Sequence, residues 1–266
     1  MIDYACRDGE GIHSGRELIT LRLHKIMPPC TMVQGGFLVG ILDFLFPKRC
    51  CGCGRIGGYF CEECRGTIRF VRPDEAVCPV CQRFAVDGKT HANCSSKDTL
   101  DGLTSFFHYD RVVRGAVKTL KYRFVSDLAK EFVSLVPASL LRRVPVGRRK
   151  ARVIPIPLHS SRARARGFNQ AAVLGSLVAG RLHLSVRTDI LYRTKHTVPQ
   201  ADTRSRHARL QNMANVFALR EGKPAIRNRS FIVFDDVVTT GATLNEAASA
   251  LKRAGARWVW GVTMAH

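Results

Sequence analysis

From residue 99 onward, apolar and polar positions follow two alternating patterns. Stretches of strand character bounded by polar turns occur at 103–109, 151–156, 184–191, 213–219, 231–234 and 257–264, and the apolar run 231–234 is short enough for a strand buried on both faces of a sheet. Between them lie stretches with helical spacing. Residues 111–123 place Val112, Val113, Ala116, Val117 and Leu120 on one face, with Arg114, Lys118 and Lys121 opposite. Residues 125–136 bring Leu128, Phe132 and Leu135 together before Pro137 interrupts them. A third helix is predicted from about 170 to 182, and an alanine-rich fourth runs to 254, where Gly255 occupies a C-cap position. Strands alternating with helices predict an α/β fold, a mostly parallel sheet with flanking helices and a site at the strands' carboxyl ends.

Upstream the pattern breaks down. Residues 1–34 show no steady periodicity and contain Pro28-Pro29, Met27 and Met32, which reads as a disordered leader or a start codon assigned too early. Residues 36–46 carry Phe37, Leu38, Ile41, Leu42 and Leu45 at helical spacing, predicting a short amphipathic helix. The cysteines follow. Eight of the ten fall between Cys50 and Cys94, and seven of these with His91 make the arrangement Cys50-x-x-Cys53, Cys61-x-x-Cys64, Cys78-x-x-Cys81 and His91-x-x-Cys94.

A C-x-x-C knuckle turns two thiolates towards one point, and two knuckles complete a closed tetrahedral zinc site. Sequential pairing gives two similar ribbons with a structural role, the second using His91 for its third ligand. Cys51 is a spare thiol that can exchange with Cys50. Short-spaced pairs without an export signal point to metal in a reducing, cytoplasmic compartment, and no apolar run reaches bilayer length. The organisation read from these patterns is 1–34, 35–98 with the ribbons, and 99–266 with the α/β domain.

Lys and Arg outnumber Asp and Glu by 42 to 21, a formal charge of +21. This excess favours polyanionic partners through counterion release, and it equally serves solubility. The cations cluster in two places. The stretch 142–152 reads as a basic solvated linker, and 193–212 as a long charged loop able to act as a lid over a polyphosphate.

The most informative stretch is FIVFDDVVTTGATL at 231–244: a strand, two carboxylates at its end, a loop of hydroxyls and a glycine, then a helix. Amides at a helix start carry the positive end of the dipole, so this order suits a phosphate. Gly241 permits close approach, and Thr239, Thr240 and Thr243 offer hydroxyl donors. Asp235 and Asp236 beside an anion make sense where the ligand also carries hydroxyls or a metal ion. The same letters also fit an ordinary Thr-rich turn, or the acidic strand end of a phosphatase-like or receiver-like fold; a Walker loop is excluded because no Lys follows the glycine. A second strand, 151–156, ends in a polar basic loop with Arg162, Arg164 and Arg166 before a helix, again an anion-site order, or simply a basic surface loop.

The 231–244 stretch resembles the PRPP-binding signature of type I phosphoribosyltransferases. That resemblance implies that Asp235 and Asp236 face the ribose 2- and 3-hydroxyls, that the loop from Thr239 through Thr240, Gly241 and Ala242 to Thr243 holds the 5-phosphate, and that Arg162, Arg164 or Arg166 meets the pyrophosphate. Over residues 36–264 the chain resembles the ComF family of competence-associated proteins. The resemblance is carried by LDFLFPKRCCGCG, LKYR at 120–123, PIPLHSSRARARGFNQA at 155–171, Ser205-Arg206-x-x-Arg209-x-x-Asn212 and FDDVVTTGATL. It departs at His91, where a Cys is usual, in a loop 200–212 one residue longer, and in the first 34 residues.

What the family resemblance implies is a double zinc ribbon ahead of a type I phosphoribosyltransferase-like domain, structural zinc in one or two sites, PRPP or a related sugar phosphate bound with magnesium, and a link to single-stranded DNA in natural transformation. Three functions compete: an active phosphoribosyltransferase in nucleotide metabolism, a module that binds single-stranded DNA, and an interaction factor whose ribbons meet a partner such as a DNA-uptake helicase. Tyr59, Phe60, Phe70 and Tyr122 are candidates for stacking on bases, or simply core.

Overall fold

Four of the strand candidates assemble into one sheet. Its strands are β1 (Gly102–Phe107), β2 (Arg152–Pro155), β5 (Ser230–Val237) and β6 (Trp258–Ala265), in the order β1-β6-β5-β2, and every neighbouring pair is parallel. Two short strands, β3 (Leu191–Arg193) and β4 (Phe217–Leu219), form a separate antiparallel pair. This computed structural model describes residues 47–122, 126–146, 150–194, 216–220 and 226–266. The expected leader, the helix over 36–46 and nearly all of the 193–212 loop lie outside the described residues.

Alternation along β5 decides the layers, because successive side chains point to opposite faces. Phe231 and Val233 join Leu244, Ala247, Ala248 and Leu251 of helix α7 (Ala242–Arg253) in one core. Ile232 and Phe234 face the other way. They join α2 (Arg111–Tyr122), α3 (Ser126–Ser134) and α6 (Gln170–Arg181) through Val113, Val117, Phe132 and Leu174. Each such large side chain contributes about 1.5–3 kcal/mol when fully buried. Gly175 in α6 lets that helix sit close, since a Cβ there would lie 3.0 Å from the Phe234 ring.

The cysteine-bearing segment packs against this sheet. It contains the short helix α1 (Glu62–Gly66) and two antiparallel bridges to β1, Phe70 with Phe107 and Lys89 with Gly102. Phe60 stacks on Phe132 at 5.9 Å, and Phe132 on Phe107 at 5.3 Å, so ribbon and sheet share one core. Residues 47–266 accordingly group as a single unit.

Three expectations change. Residues 184–191 are not a strand: Val186 makes one bridge to Val153, and regular pairing starts only at Leu191. Arg187 grips Asp189 with two 2.9 Å bonds, a local pairing that competes with a sheet ladder. Within the basic loop before α6, residues 160–166 coil into α5 (Ser160–Arg166), opened by the His159 ring accepting from the Ser161 amide and closed by Gly167 at φ +74°. The linker is also not wholly solvated. It begins just past α4 (Ala138–Leu141), and its Arg143 donates to the Val71 carbonyl at 2.6 Å and to that of Arg72 at 3.3 Å, tying it to the ribbon segment.

Candidate functional site

Because the four strands of the sheet are parallel, their carboxyl ends share one edge, the edge at which such folds bind ligands. There β5 gives way to a tight turn and then α7. Gly241 is the N-cap at φ +74° and, lacking a side chain, caps none of the first-turn amides itself. The turn folds back on itself through Thr240, whose Oγ1 accepts from the Ala242 amide at 3.4 Å. Asp235, Val237, Val238, Thr239, Thr240, Gly241, Ala242, Thr243 and Leu244 together line a hollow of about 30 Å³, enough for one small oxyanion and too small for a whole nucleotide.

The two carboxylates take different parts. Asp236 is buried, and its Oδ2 meets Lys121 Nζ at 3.0 Å while its Oδ1 accepts from the Val237 amide at 2.8 Å. Asp235 borders the hollow and accepts from the Asp236 amide at 2.8 Å. Burial, and then the neighbouring Asp236 charge, hold the Asp235 carboxyl well above the ordinary carboxylate range, against the opposing pull of the Asp236 amide and Lys121.

Lys121 extends the site towards α5 and α6. Its carbonyl accepts from Gln170 Nε2 at 3.2 Å, and Gln170 Oε1 accepts from Arg166 at 3.2 Å. Asn169 caps α6 and reaches the Ile156 carbonyl at the end of β2, at 2.9 Å. Three widely separated motifs thus meet through one hydrogen-bonded chain. Of the three arginines singled out, Arg166 belongs to that chain, Arg164 is exposed, and the side chain of Arg162 lies outside the described ones. Lys121 and Gln170 were not singled out as site residues, although both lie within family-like motifs; no periodicity marks a Lys on a basic helix face as an ion-pair partner.

Upstream of the sheet, Cys50, Cys53, Cys61 and Cys64 form one group of candidate ligands, and Cys78, Cys81, His91 and Cys94 a second. In each, the ligand atoms lie within 4.8 Å of one another. A zinc tetrahedron with sulfur bonds near 2.3 Å has edges of about 3.8 Å. Cys61 Sγ lies 3.6 Å from both Cys50 and Cys53, and Cys81 Sγ lies 3.3 Å from His91 Nδ1, so both groups fit the ion. His91 Nε2 lies 2.8 Å from the Phe84 carbonyl; donation there fixes the tautomer that presents Nδ1 as ligand.

Electrostatics support the fit. Burial opposes ionisation of Cys50, yet the amides of Cys53, Cys61 and Gly52 bring its thiol down to about 6. Burial and the surrounding sulfurs push Cys64 up to about 12. A cation bound among these sulfurs would favour the thiolate form that a metal ligand requires. Cys51 stands apart from the cluster: burial raises its thiol to about 11 and Thr119 hydrogen-bonds it, so it is a poor substitute for Cys50.

The base-stacking candidates divide. Phe60 is core, Phe70 is partly exposed over the Phe107 ring, Tyr59 is half-buried beneath Lys48, and the Tyr122 side chain lies outside the described ones. Tyr192, exposed on β3 with the Arg220 guanidinium 5.9 Å from its ring, was not among them. Among the described residues no helix is long and apolar enough to cross a membrane.

Comparison with known proteins extends the picture beyond the metal centres. The family model for a double zinc ribbon domain matches residues 41–95. Competence protein F of Haemophilus influenzae is 25% identical over 224 residues, covering 77% of this chain and 96% of its own. DNA utilization protein YhgH of Salmonella typhimurium is 30% identical over 204 residues, covering 74% of this chain and 86% of its own. Competence protein ComFC of Bacillus subtilis is 23% identical over 205 residues, 73% and 78% of the two chains. Each of these matches is far longer than the ribbon and must run on into the α/β part, and on that breadth of likeness the chain belongs to the ComF family.

Proposed function

We propose that the β5–α7 turn binds the phosphate of a phosphorylated pentose, PRPP or a close relative with its magnesium, and that the protein serves DNA utilisation, handling incoming single-stranded DNA. The observation that carries the sugar-phosphate reading is that Asp235 and the whole 237–244 turn line one hollow, an acid beside the amides that open a helix. An anion alone has no use for the acid. A phosphorylated sugar uses both: its phosphate meets the amides and hydroxyls, and its hydroxyls donate to the carboxylates. Arg164 and Arg166 stand on the neighbouring α5, where a pyrophosphate would find cations.

Thermal shift with PRPP and magnesium tests this, on the wild type and on Asp235→Asn/Asp236→Asn. Stabilisation should be large for the first and lost for the second; equal stabilisation of both would refute the role given to the acids.

The DNA part of the reading is supported by the names of the relatives and by the charge of +21. Binding to an unstructured oligonucleotide should weaken steeply with salt, and an affinity indifferent to salt would remove its electrostatic basis. Turnover is a separate question. Were the protein a phosphoribosyltransferase, preorganised cations would stabilise departing pyrophosphate, and a panel of bases would release it. A role as a zinc-ribbon partner of a helicase predicts copurification that survives loss of the acids.

A further inference from the structure

We propose that metal held by Cys78, Cys81, His91 and Cys94 sets the shape of the phosphate turn through Asn245, so that this metal and the sugar phosphate stabilise each other. The inference rests on the reading of the 238–244 turn as a sugar-phosphate site. Its basis is a contact between two parts of the sequence that no motif connects.

Pro79 and Val80 form the tip of the second cluster's first knuckle, and the Pro79 carbonyl is aimed at the start of α7. Asn245 Nδ2 donates to that carbonyl at 2.9 Å and to the Gly241 carbonyl at 3.1 Å. Asn245 Oδ1 accepts from the Leu100 amide, at 3.3 Å, on the approach to β1. Gln82 Nε2 adds a donor to Pro79 at 3.2 Å. The approach is close enough that a Cβ on Gly241 would lie 2.6 Å from the Pro79 oxygen. One side chain therefore clamps the metal knuckle, the turn residue that opens the anion site, and the chain entering the sheet.

The knuckle sits on a short antiparallel bridge, Val77 with Phe84. Its own backbone bonds are Cys78 to Arg83 and Gln82 to Cys78, both 2.9 Å, and Gln82 sits at φ +63°. Bonds from a metal to four side chains would fix the position of this knuckle further, and with it the Pro79 carbonyl. If metal orders the knuckle and the knuckle orders the turn, a ligand that orders the turn must in return hold the metal, by the reciprocity of linked equilibria.

Zinc release from the full-length, zinc-loaded protein tests this. Release to a zinc-selective dye is followed at constant magnesium, with and without PRPP, while calorimetry on the same samples reports whether PRPP binds. At equilibrium with the dye, one of the two zinc equivalents should be held at least about fivefold more tightly with PRPP. A Cys94→Ser variant identifies that equivalent as the one from the second cluster.

Asn245→Asp keeps the acceptor for Leu100 and loses both donors, so protection should vanish in it. PRPP that binds without tightening the hold on either zinc overturns the coupling and leaves the sugar-phosphate site standing. PRPP that does not bind overturns both. Protection that survives in Asn245→Asp removes Asn245 from its role. Should that variant fail to fold, the wild-type pair of measurements still decides.

Discussion

Gly241 and Gly167 provide a matched pair for testing whether the ribbon is seated on the turn. Their backbones are nearly identical, φ 74° and ψ −3° for Gly241 against φ 74° and ψ −14° for Gly167. Alanine at either site suffers the same left-handed strain, about 1–2 kcal/mol. What differs is the space. A Cβ on Gly167 meets nothing within 4 Å, whereas on Gly241 it lies 2.6 Å from the Pro79 carbonyl oxygen, a backbone atom that cannot rotate away. Relieving that clash means shifting the knuckle or the turn, an overpacking cost of about 1–3 kcal/mol beyond the shared strain. For a chain of this size that excess corresponds to roughly 2–12 °C.

Thermal and urea unfolding of both zinc-loaded variants should therefore show Gly241→Ala losing clearly more stability than Gly167→Ala. Equal losses would mean that Pro79 does not rest on the turn. The placement of the second ribbon, and the coupling built on it, would fall together.

Other perturbations separate stability from binding. Asp235→Asn should stabilise the ligand-free protein at pH 7–8 by about 1 kcal/mol, near 2–4 °C, while abolishing the PRPP-dependent shift. The sign follows from the raised carboxyl: in the window between the unfolded value near 4 and the higher folded value, the native state binds more protons, and stability falls as pH rises. A Tm lowered by the substitution would contradict this. Lys121→Met removes the cation 3.0 Å from Asp236 and should cost about 1–2 kcal/mol by urea unfolding, less than a fully buried pair because the Lys side chain is 31% exposed. A change of only a few tenths would mean the pair is a surface contact. Cys64→Ser strikes a ligand that is itself part of the main core and should cost more than about 4 kcal/mol, whereas Cys94→Ser, at a half-buried position, should cost less; the reverse order in chemical denaturation would refute the assignment of the first ribbon to the core.

The sheet was legible because burial on both sides of a parallel strand leaves unbroken apolar runs, as in 231–234 and 258–262. The knuckles were legible because thiolate geometry demands fixed spacing. Long-range pairings were not. Nothing local in Asn245 shows that it faces Pro79, and nothing in Phe60 shows that it completes an aromatic stack with Phe132 and Phe107. The 184–191 run misled because its apolar residues suit a strand, while the Arg187–Asp189 pair that turns the chain registers in sequence only as two charges. In sequence Lys121 belongs to a basic helical face; its use as a counterion depends on β5 ending beside α2, which is topology rather than pattern.

The raised Asp235 carboxyl also carries a prediction about the ligand. Sugar hydroxyls donate to a carboxylate best when it is ionised, so a ligand that uses Asp235 as acceptor binds the deprotonated form. Below the raised folded value that form is the minority, and affinity should climb with pH by up to tenfold per unit until Asp235 has titrated. A phosphate monoester loses its second proton near pH 6, so measurements from pH 7 upward keep the ligand's own charge constant. Calorimetry with PRPP across that range should show the rise in the wild type and a flat, weak profile in Asp235→Asn. An affinity that falls with rising pH would instead make Asp235 a protonated donor, one that gives its hydrogen to a ligand oxygen.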